Sequence, residues 1–489
     1  MCIIMLAACV ISCTGNGGEK AETSGTKPVD TDYSKYSDGL PAEYDMDGFK
    51  LTFLTREGFE EEITVDSTDA DHLSDVINAS VYNRQKEIES RFNCTIAKIV
   101  EPQDPGAFKS KIVDAVSFDS DEFDVAIGHI DYVASLAPDG YLARWQDIPH
   151  VDFDKPYWNE LANSSLTVSG NSFFALGDIN YWLILQCNCI YFNKELVTDY
   201  NIDDPYQTVL DGKWTLDTIG ALTKKFYSDV NQNSTRDIDD FYAFTLDVHS
   251  GLNSYQNATE NLMYVKDKED FPQFKANTKR MGTLVEKMYN IIYSNESTYA
   301  AYDYSIQANE QTIYWWDACS YKYNNGTSIF VHGWLGNATN IYRDTPYEYG
   351  IIPLPKFDEK QKTYHTMMDA SGPFMCIPRN IREDRADNVG MIIEAMACYG
   401  KNYITPAVFD TALKKKYSTL EGSGKMLDLI VDGLTFDFGY VHSSDYHNIL
   451  RKVLYAKNSN LASYLGKAMN SLTTYYDKIL DAYLDYGLE

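Results

Sequence analysis

The chain of 489 residues is poor in positive charge: Lys and Arg number 42 against 71 Asp and Glu, a formal net charge of −29. Proteins that track nucleic-acid phosphates need a basic face, so that class is excluded at the outset. Long hydrophobic runs are missing too. The uninterrupted apolar stretch at the start, residues 3–11, is nine residues long, about half of the ~20 that a helix needs to cross a bilayer. No Lys or Arg precedes it.

Metal and disulfide frameworks are equally scarce. Three of the nine Cys fall in the first thirteen residues, and the other six, Cys94, Cys187, Cys189, Cys319, Cys376 and Cys398, show no paired spacing. No His or Cys cluster near Cys187 and Cys189 completes a zinc set, so all six are expected to be buried free thiols. Most catalytic signatures are absent. There is no Gly-x-Ser-x-Gly elbow, no His-Glu-x-x-His helix and no Gly-rich phosphate loop after a strand. Ser24-Gly-Thr-Lys27 has the spacing of a penicillin-binding nucleophile, but it lies where no core orients it. With 71 acidic residues, a carboxylate pair suited to glycoside hydrolysis stays open as the competing enzyme class.

What is present describes a globular body on a leash. Hydrophobic content of 44% with 14% aromatics is enough to offset the entropy of ordering the chain. Residues 14–44 are rich in Gly, Ser, Thr, Pro and charge and carry −3, leaving −26 on the rest, so the body itself is acidic. The opening stretch has the form of an export-signal h-region. Within it, Leu6-Ala7-Ala8-Cys9 and Val10-Ile11-Ser12-Cys13 resemble the bacterial lipobox. Cys13 is the expected lipidation site and Cys9 the alternative, with 1–13 as signal and 14–44 as flexible tether.

Periodicity predicts the order strand, helix, strand, helix, strand from residue 49. Phe49, Leu51 and Phe53 alternate; Leu73, Val76, Ile77, Val81, Ile88 and Phe92 recur on one helical face; 95–100 is short and β-branched; and 123–127 forms a further strand. That order predicts α/β architecture with parallel strands and right-handed crossovers. Further strands are expected at 172–175, 183–192, 329–332 and 350–354, the last as a crossing between lobes. Thr215 is expected to cap a helix from Leu216, with Asp217 in its first turn. A helix over 389–399 is expected to stop at Gly400, and another runs from Leu461 to Tyr483. Trp214 is assigned to packing.

Several strings together resemble a known family. They are Lys155-Pro-Tyr-Trp-Asn-Glu160, Ala175-Leu-Gly-Asp178, Ile190-Tyr-Phe-Asn-Lys-Glu-Leu196, Asp211-Gly-Lys-Trp-Thr-Leu-Asp217, Tyr349-Gly-Ile-Ile-Pro-Leu-Pro-Lys356 and Asp437-Phe-Gly-Tyr440. Spread in order over most of 45–489, they resemble the extracellular solute-binding proteins of ABC-type sugar importers, the group that includes maltose-binding protein. The likeness is to lipoproteins of this kind from Gram-positive gut anaerobes. It implies a two-lobed fold of the periplasmic-binding-protein kind (type II), each lobe a sheet flanked by helices, joined by crossing hinge strands. The expected limits are 45–186 plus 355–400 for one lobe and 187–354 plus 401–489 for the other. It also implies a monomer without enzyme activity or cofactor, held to the outer face of the membrane by a lipid and delivering an oligosaccharide to permease subunits. A binding protein for a peptide or polyamine is a further alternative.

Open α/β sheets bind ligands beyond the carboxyl ends of their strands, which singles out His129, Asp131 and Tyr132. For Asp131 a helix-capping role is equally open. Asp178 and Asn180 offer fixed polar groups, and Trp182 a flat apolar face for a sugar ring. Gln186 and Asn188 are expected on one face of a crossing strand, where polar side chains need partners; ligand and backbone are both candidates. Trp315, Trp334 and Tyr440 are expected aromatic platforms, with core packing as the other reading. Asp229, Asn231, Asn233, Asp237 and Asp240 resemble an oxygen-rich calcium loop in which Ser234 replaces the turn glycine and Asp240 the terminal Glu; a solvated acidic loop is the favoured reading, with no metal.

Overall fold

The computed structural model describes residues 35–66, 71–275, 278–302, 304–308, 311–339, 341–342, 345–369, 371–409, 423–442 and 448–484, with the side chains of Asp131 and Trp315 excepted. The signal, Cys9, Cys13 and the tether up to residue 34 lie outside this range.

Two sheets organise the chain. The first contains β1 (Phe49–Arg56), β2 (Cys94–Glu101), β3 (Val125–His129) and β14 (Pro373–Cys376) in the order β14-β3-β1-β2. β1 runs parallel to β2 and β3, and β14 runs antiparallel to β3. Side chains of a strand alternate between faces, and both faces here are buried, as a sheet covered by helices on each side requires. Leu51, Phe53, Val125, Ile127 and Met375 pack in one core with Ile88, Phe92 and Ile392. Leu54, Ala126, Phe374 and Cys376 face the other, with Phe108 and Ile112.

The second sheet has β13 (Tyr349–Ile352), β4 (Asn188–Asn193), β12 (Ser328–Trp334), β6 (Phe241–Asp247) and β5 (Tyr227–Ser228) in that order, with β9 (Thr298–Ala301) also on β6. β12, β6 and β9 are mutually parallel, while β4 runs against β12. Two hairpins, β7–β8 (Tyr264–Lys266, Pro272–Phe274) and β10–β11 (Ile306–Ala308, Gln311–Ile313), complete the strands.

Local sequence sets the helix ends. Asp75 accepts from the N–H groups of Ile77 and Asn78 to start Val76–Phe92, which ends at Asn93 in the left-handed region. Asp104 caps a helix with Pro105 in its first turn. Thr215 caps Leu216–Leu222, with Asp217 in the first turn as expected. Trp214 is buried and its Nε1 donates to the Pro353 carbonyl at 2.9 Å. In the Lys155-Pro-Tyr-Trp string, Trp158 Nε1 donates to Glu394 at 2.9 Å and the Tyr157 hydroxyl donates to the same carboxyl. The six thiols are buried and unbonded, and burial raises their pKa values.

Three strand expectations are corrected. The stretch 183–192 is not one strand: Trp182–Leu185 forms a helical turn, in which Gln186 N–H donates to Trp182 at 3.0 Å, and β4 starts only at Asn188. A short apolar run has no period that separates buried strand from buried helix. Residues 172–175 form no ladder, only a bridge between Ala175 and Met375. The strand at 349–352 is not a crossing but the edge of the second sheet. Residues 355–366 then stay with that sheet's helices, through Lys356 with Trp214, Gln361 with Ala258 and Tyr364 with Val209. Residues 367–369 then pair with 186–188. The α-helix Glu383–Tyr399 ends at Gly400 as expected, and wider turns follow to Ile404. Lys401, Asn402 and Thr405 there contact Asp178 and Tyr36.

Candidate functional site

Strand register places the site. His129, the last residue of β3, pairs with Pro373, the first of β14. Trp334, the last of β12, pairs with Asn188, the first of β4. Between them the two crossings run side by side: Asn188 N–H donates to Met367 at 3.1 Å, Asp369 N–H donates to Gln186 at 3.0 Å, and Cys187 bridges Met368. The carboxyl ends of the parallel strands of both sheets therefore open toward the same crossing, the location at which open α/β sheets take ligands.

The first lobe presents an aromatic and charged ledge there. Arg56 ends β1, and its guanidinium lies 3.9 Å from the centroid of the Phe59 ring. Phe59 in turn lies 4.9 Å from Trp182, which stacks on Tyr181 at 6.0 Å. An Arg nitrogen also donates to the Ser371 carbonyl on the return crossing. Beneath the ledge, Glu62 is fully buried, accepts from Trp182 N–H at 3.4 Å, and receives Arg84 at its backbone carbonyl. Burial pushes the Glu62 carboxyl up to about 8, outweighing Arg84 and Arg56; it pushes Arg56 down to about 10, with Glu62 and Asp369 holding it up. A carboxyl kept neutral at pH 7 is a hydrogen-bonding group here.

The expected site residues divide. His129 and Tyr132 pack edge to face at 5.1 Å and line, with Arg56 and Gln103, a small recess at the ends of β1, β2 and β3. Burial, helped by Arg56, pushes the His129 imidazole down to about 3, so it is neutral. Asp131 sits in the turn Ile130–Val133; its side chain is outside the described residues. Trp182 and Gln186 reach the crossing, where the Ser371 hydroxyl donates to Gln186 Oε1 at 3.2 Å and to Asp369 at 2.7 Å. Asn188 instead donates to the Met367 carbonyl at 2.6 Å, the backbone alternative. Trp334 stands half-buried at the end of β12.

Asp178 and Asn180 are not brought to Trp182. They line a separate 690 Å³ cavity whose lining does not include that ring. Trp315's side chain is outside the described residues, but its neighbour Trp316 is 55% exposed and stacks flat on Tyr314 at 4.8 Å. Tyr440 is buried in the core, which removes it as a platform. In the loop at 229–240, Ser234 takes the left-handed backbone, φ 61°, of the glycine it replaces. Its carboxylates accept from nearby donors, Asp237 from the amides of Asn231 and Asn233, Asp229 Oδ2 from Ser234 N–H, Asp240 from Tyr227 of β5 and Val230, while Asp229 Oδ1 is buried without a partner among the described residues.

Arg56, Phe59, Glu62, Asp369 and Ser371 escaped the sequence reading. For Arg56 a signal existed, a charged residue directly after an alternating strand. Asp369 and Ser371 had none, because only the tertiary pairing of 186–188 with 367–371 makes them part of a site.

No protein-family model matches the chain, and no curated protein does. Solved structures do. A cyclo/maltodextrin-binding protein complexed with maltotetraose superposes with a TM-score of 0.54 at 12% identity, over 89% of this chain and 96% of that one. The GacH receptor of Streptomyces glaucescens, solved unliganded and with acarbose, gives 0.52 at 13% identity over 89% and 99%. A cyclic alpha-maltosyl-1,6-maltose binding protein from Arthrobacter globiformis gives 0.51 at 15% identity over 89% and 98%. The class is thereby set: the chain has the two-lobed α/β fold of ABC-transporter solute-binding proteins. Of the three structures, two are maltodextrin- or maltosyl-maltose-binding proteins and the third is a receptor solved with acarbose.

Proposed function

We propose that the protein captures a neutral carbohydrate, an oligosaccharide, between its two lobes and passes it to the permease of an ABC-type importer. The observation that carries this reading is the ledge of Arg56, Phe59 and Trp182 beside Gln186, Asp369 and Ser371, at the point where the carboxyl ends of both sheets meet. A flat aromatic face covers the apolar side of a sugar ring, while fixed donors and acceptors read its hydroxyls. The stacked Tyr314–Trp316 pair is a candidate face on the second lobe.

In this reading 45–186 with 371–409 make one lobe and 187–366 the body of the other, and the lobes close by hinge motion about the paired crossings. Asp131 joins the site beside His129. Lipidation at Cys13 or Cys9 holds the chain to the outer face of the membrane; among the described residues no helix is long and apolar enough to cross one. The net charge of −29 disfavours anionic solutes.

Calorimetric titration with neutral maltose-, xylose- and mannose-based oligosaccharides tests the reading. Saturable heat with no new reducing ends over hours is expected. Release of reducing ends would make the protein a glycoside hydrolase, and heat only with peptides or polyamines would replace the sugar.

A further inference from the structure

The two rings of the ledge come from segments far apart in the chain. Phe59 stands three residues before Glu62, and Trp182 three residues after Ile179; both rings are half-buried. A side chain from a third element reaches both segments. On the helix Val76–Phe92 the buried positions are Val81, Arg84, Gln85, Ile88 and Phe92, the three-four spacing of one helical face, so the register sends Arg84 inward among apolar neighbours.

Arg84 is fully buried, and a charge in that place persists only where it is hydrogen-bonded. Its partners are main-chain carbonyls: Nη1 donates to Ile179 at 2.8 Å, and Nη2 donates to Ile63 at 3.1 Å and to Glu62. One planar fork thus holds the segment just after Phe59 and the segment just before Trp182. The Glu62 carboxyl, also fully buried, adds a direct tie by accepting from Trp182 N–H at 3.4 Å. Its second oxygen and Arg84 Nε have no hydrogen-bond partner among the described residues. Apolar side chains of similar volume would fill this space without that cost, so stability alone does not account for the two polar groups.

We propose that Arg84 and Glu62 are positioning residues for the ledge, which fix the Trp182 ring at its 4.9 Å contact with Phe59 and so set the affinity for sugar. The inference rests on the reading of that ledge as the sugar-contacting face. Lysine at position 84 would keep the charge, but a single ammonium does not hold carbonyls on both segments.

The full chain labelled with 5-fluorotryptophan carries seven fluorine reporters, one at each Trp, and the Trp182 resonance is the one that disappears in Trp182→Leu. Arg84→Lys is expected to shift or broaden that resonance while those of the buried Trp145 and Trp214 stay in place. Glu62→Leu should move it too, whereas Glu62→Gln, which keeps an acceptor for Trp182 N–H, should not. In calorimetry with maltotetraose, Arg84→Lys is expected to bind about tenfold more weakly than the unaltered chain, and Arg84→Lys/Trp182→Leu no more weakly than Trp182→Leu, because the effect passes through the ring. Should Arg84→Lys fail to fold, Glu62→Leu decides by the same resonance. A Trp182 resonance that stays in place, equal movement at Trp145 and Trp214, or additive losses in the double variant would each overturn the proposal. Absence of maltotetraose heat from the unaltered chain would count against the sugar reading, and the fluorine resonances would still decide the positioning role.

Discussion

The ring of Phe59 stands 4.9 Å from that of Trp182, tilted by 55°. This contact joins the loop after β1 to the helical turn that leads into β4, so the apolar floor of the candidate site borders the paired segments 186–188 and 367–369. Replacing Trp182 by Leu keeps apolar volume but removes the flat face. Oligosaccharide affinity is expected to fall about tenfold, or ~1.4 kcal/mol, with the melting temperature nearly unchanged; calorimetry and thermal unfolding check both.

A polar clasp joins hairpin β7–β8 to the segment 167–170. Lys266 on β7 donates to Asp270 at 2.7 Å and to Thr167 at 2.6 Å, while Gly170 N–H donates to Asp270 at 3.1 Å. Lys266 also donates to the Ser164 carbonyl, which extends the clasp to the end of the preceding helix. Asp270→Ala should raise amide exchange in 164–170 and 264–274 severalfold and leave the cores of both sheets protected, as mass-spectrometric exchange will show.

Gly390 lies where its helix meets the backbone of Pro149. A Cβ there would stand 1.9 Å from the Pro149 carbonyl oxygen, and one at Gly400 would stand 1.8 Å from that of Asp178. Backbone cannot swing aside as a side chain can. Gly390→Ala is expected to cost about 3 kcal/mol or more, read as a lower urea midpoint, despite the higher helix propensity of Ala.

Asp437 gives a pH signature. It is fully buried and accepts from the backbone N–H groups of Met263, Gly439 and Tyr440, yet burial pushes its carboxyl up from 3.8 to about 6. The folded state thus holds this proton more tightly than the unfolded one. Its stabilising contribution is complete below about pH 4 and is lost as the pH rises to about 6, at most about 3 kcal/mol in all. Urea unfolding of Asp437→Asn between pH 4 and 7 should lack this slope.

In the loop at 229–240 the carboxylates of Asp237 and Asp240 and one oxygen of Asp229 accept from N–H and O–H donors, while Asp229 Oδ1 is buried without a partner among the described residues. Adding millimolar calcium is expected to move the melting temperature by less than about 1 °C, because metal would have to displace those donors. A larger rise would reassign the loop as a cation site.

Much of the architecture was legible because it rests on local chemistry. Alternation at Phe49, Leu51 and Phe53, the Asp75 and Thr215 caps, and the three-four spacing from Leu461 to Tyr483 each declare an element within a few residues, and those elements stand where expected. The free thiols and the packing role of Trp214 followed from the same local signs. Amino-acid order thus determined the α/β class, the three parallel strands of the first sheet, β12 of the second and the net acidity, because propensity, capping and period act between near neighbours, while β6, β9 and β14 gave no sign that was read. Which residues share a site was decided by tertiary pairing alone. Residues 186–188 meet 367–371 across some 180 positions, and that contact recruits Asp369 and Ser371. The fold around the Trp182 turn sends Trp182 to one side and Asn180 to the other, and burial, which no local pattern reports, makes Tyr440 core and Glu62 neutral.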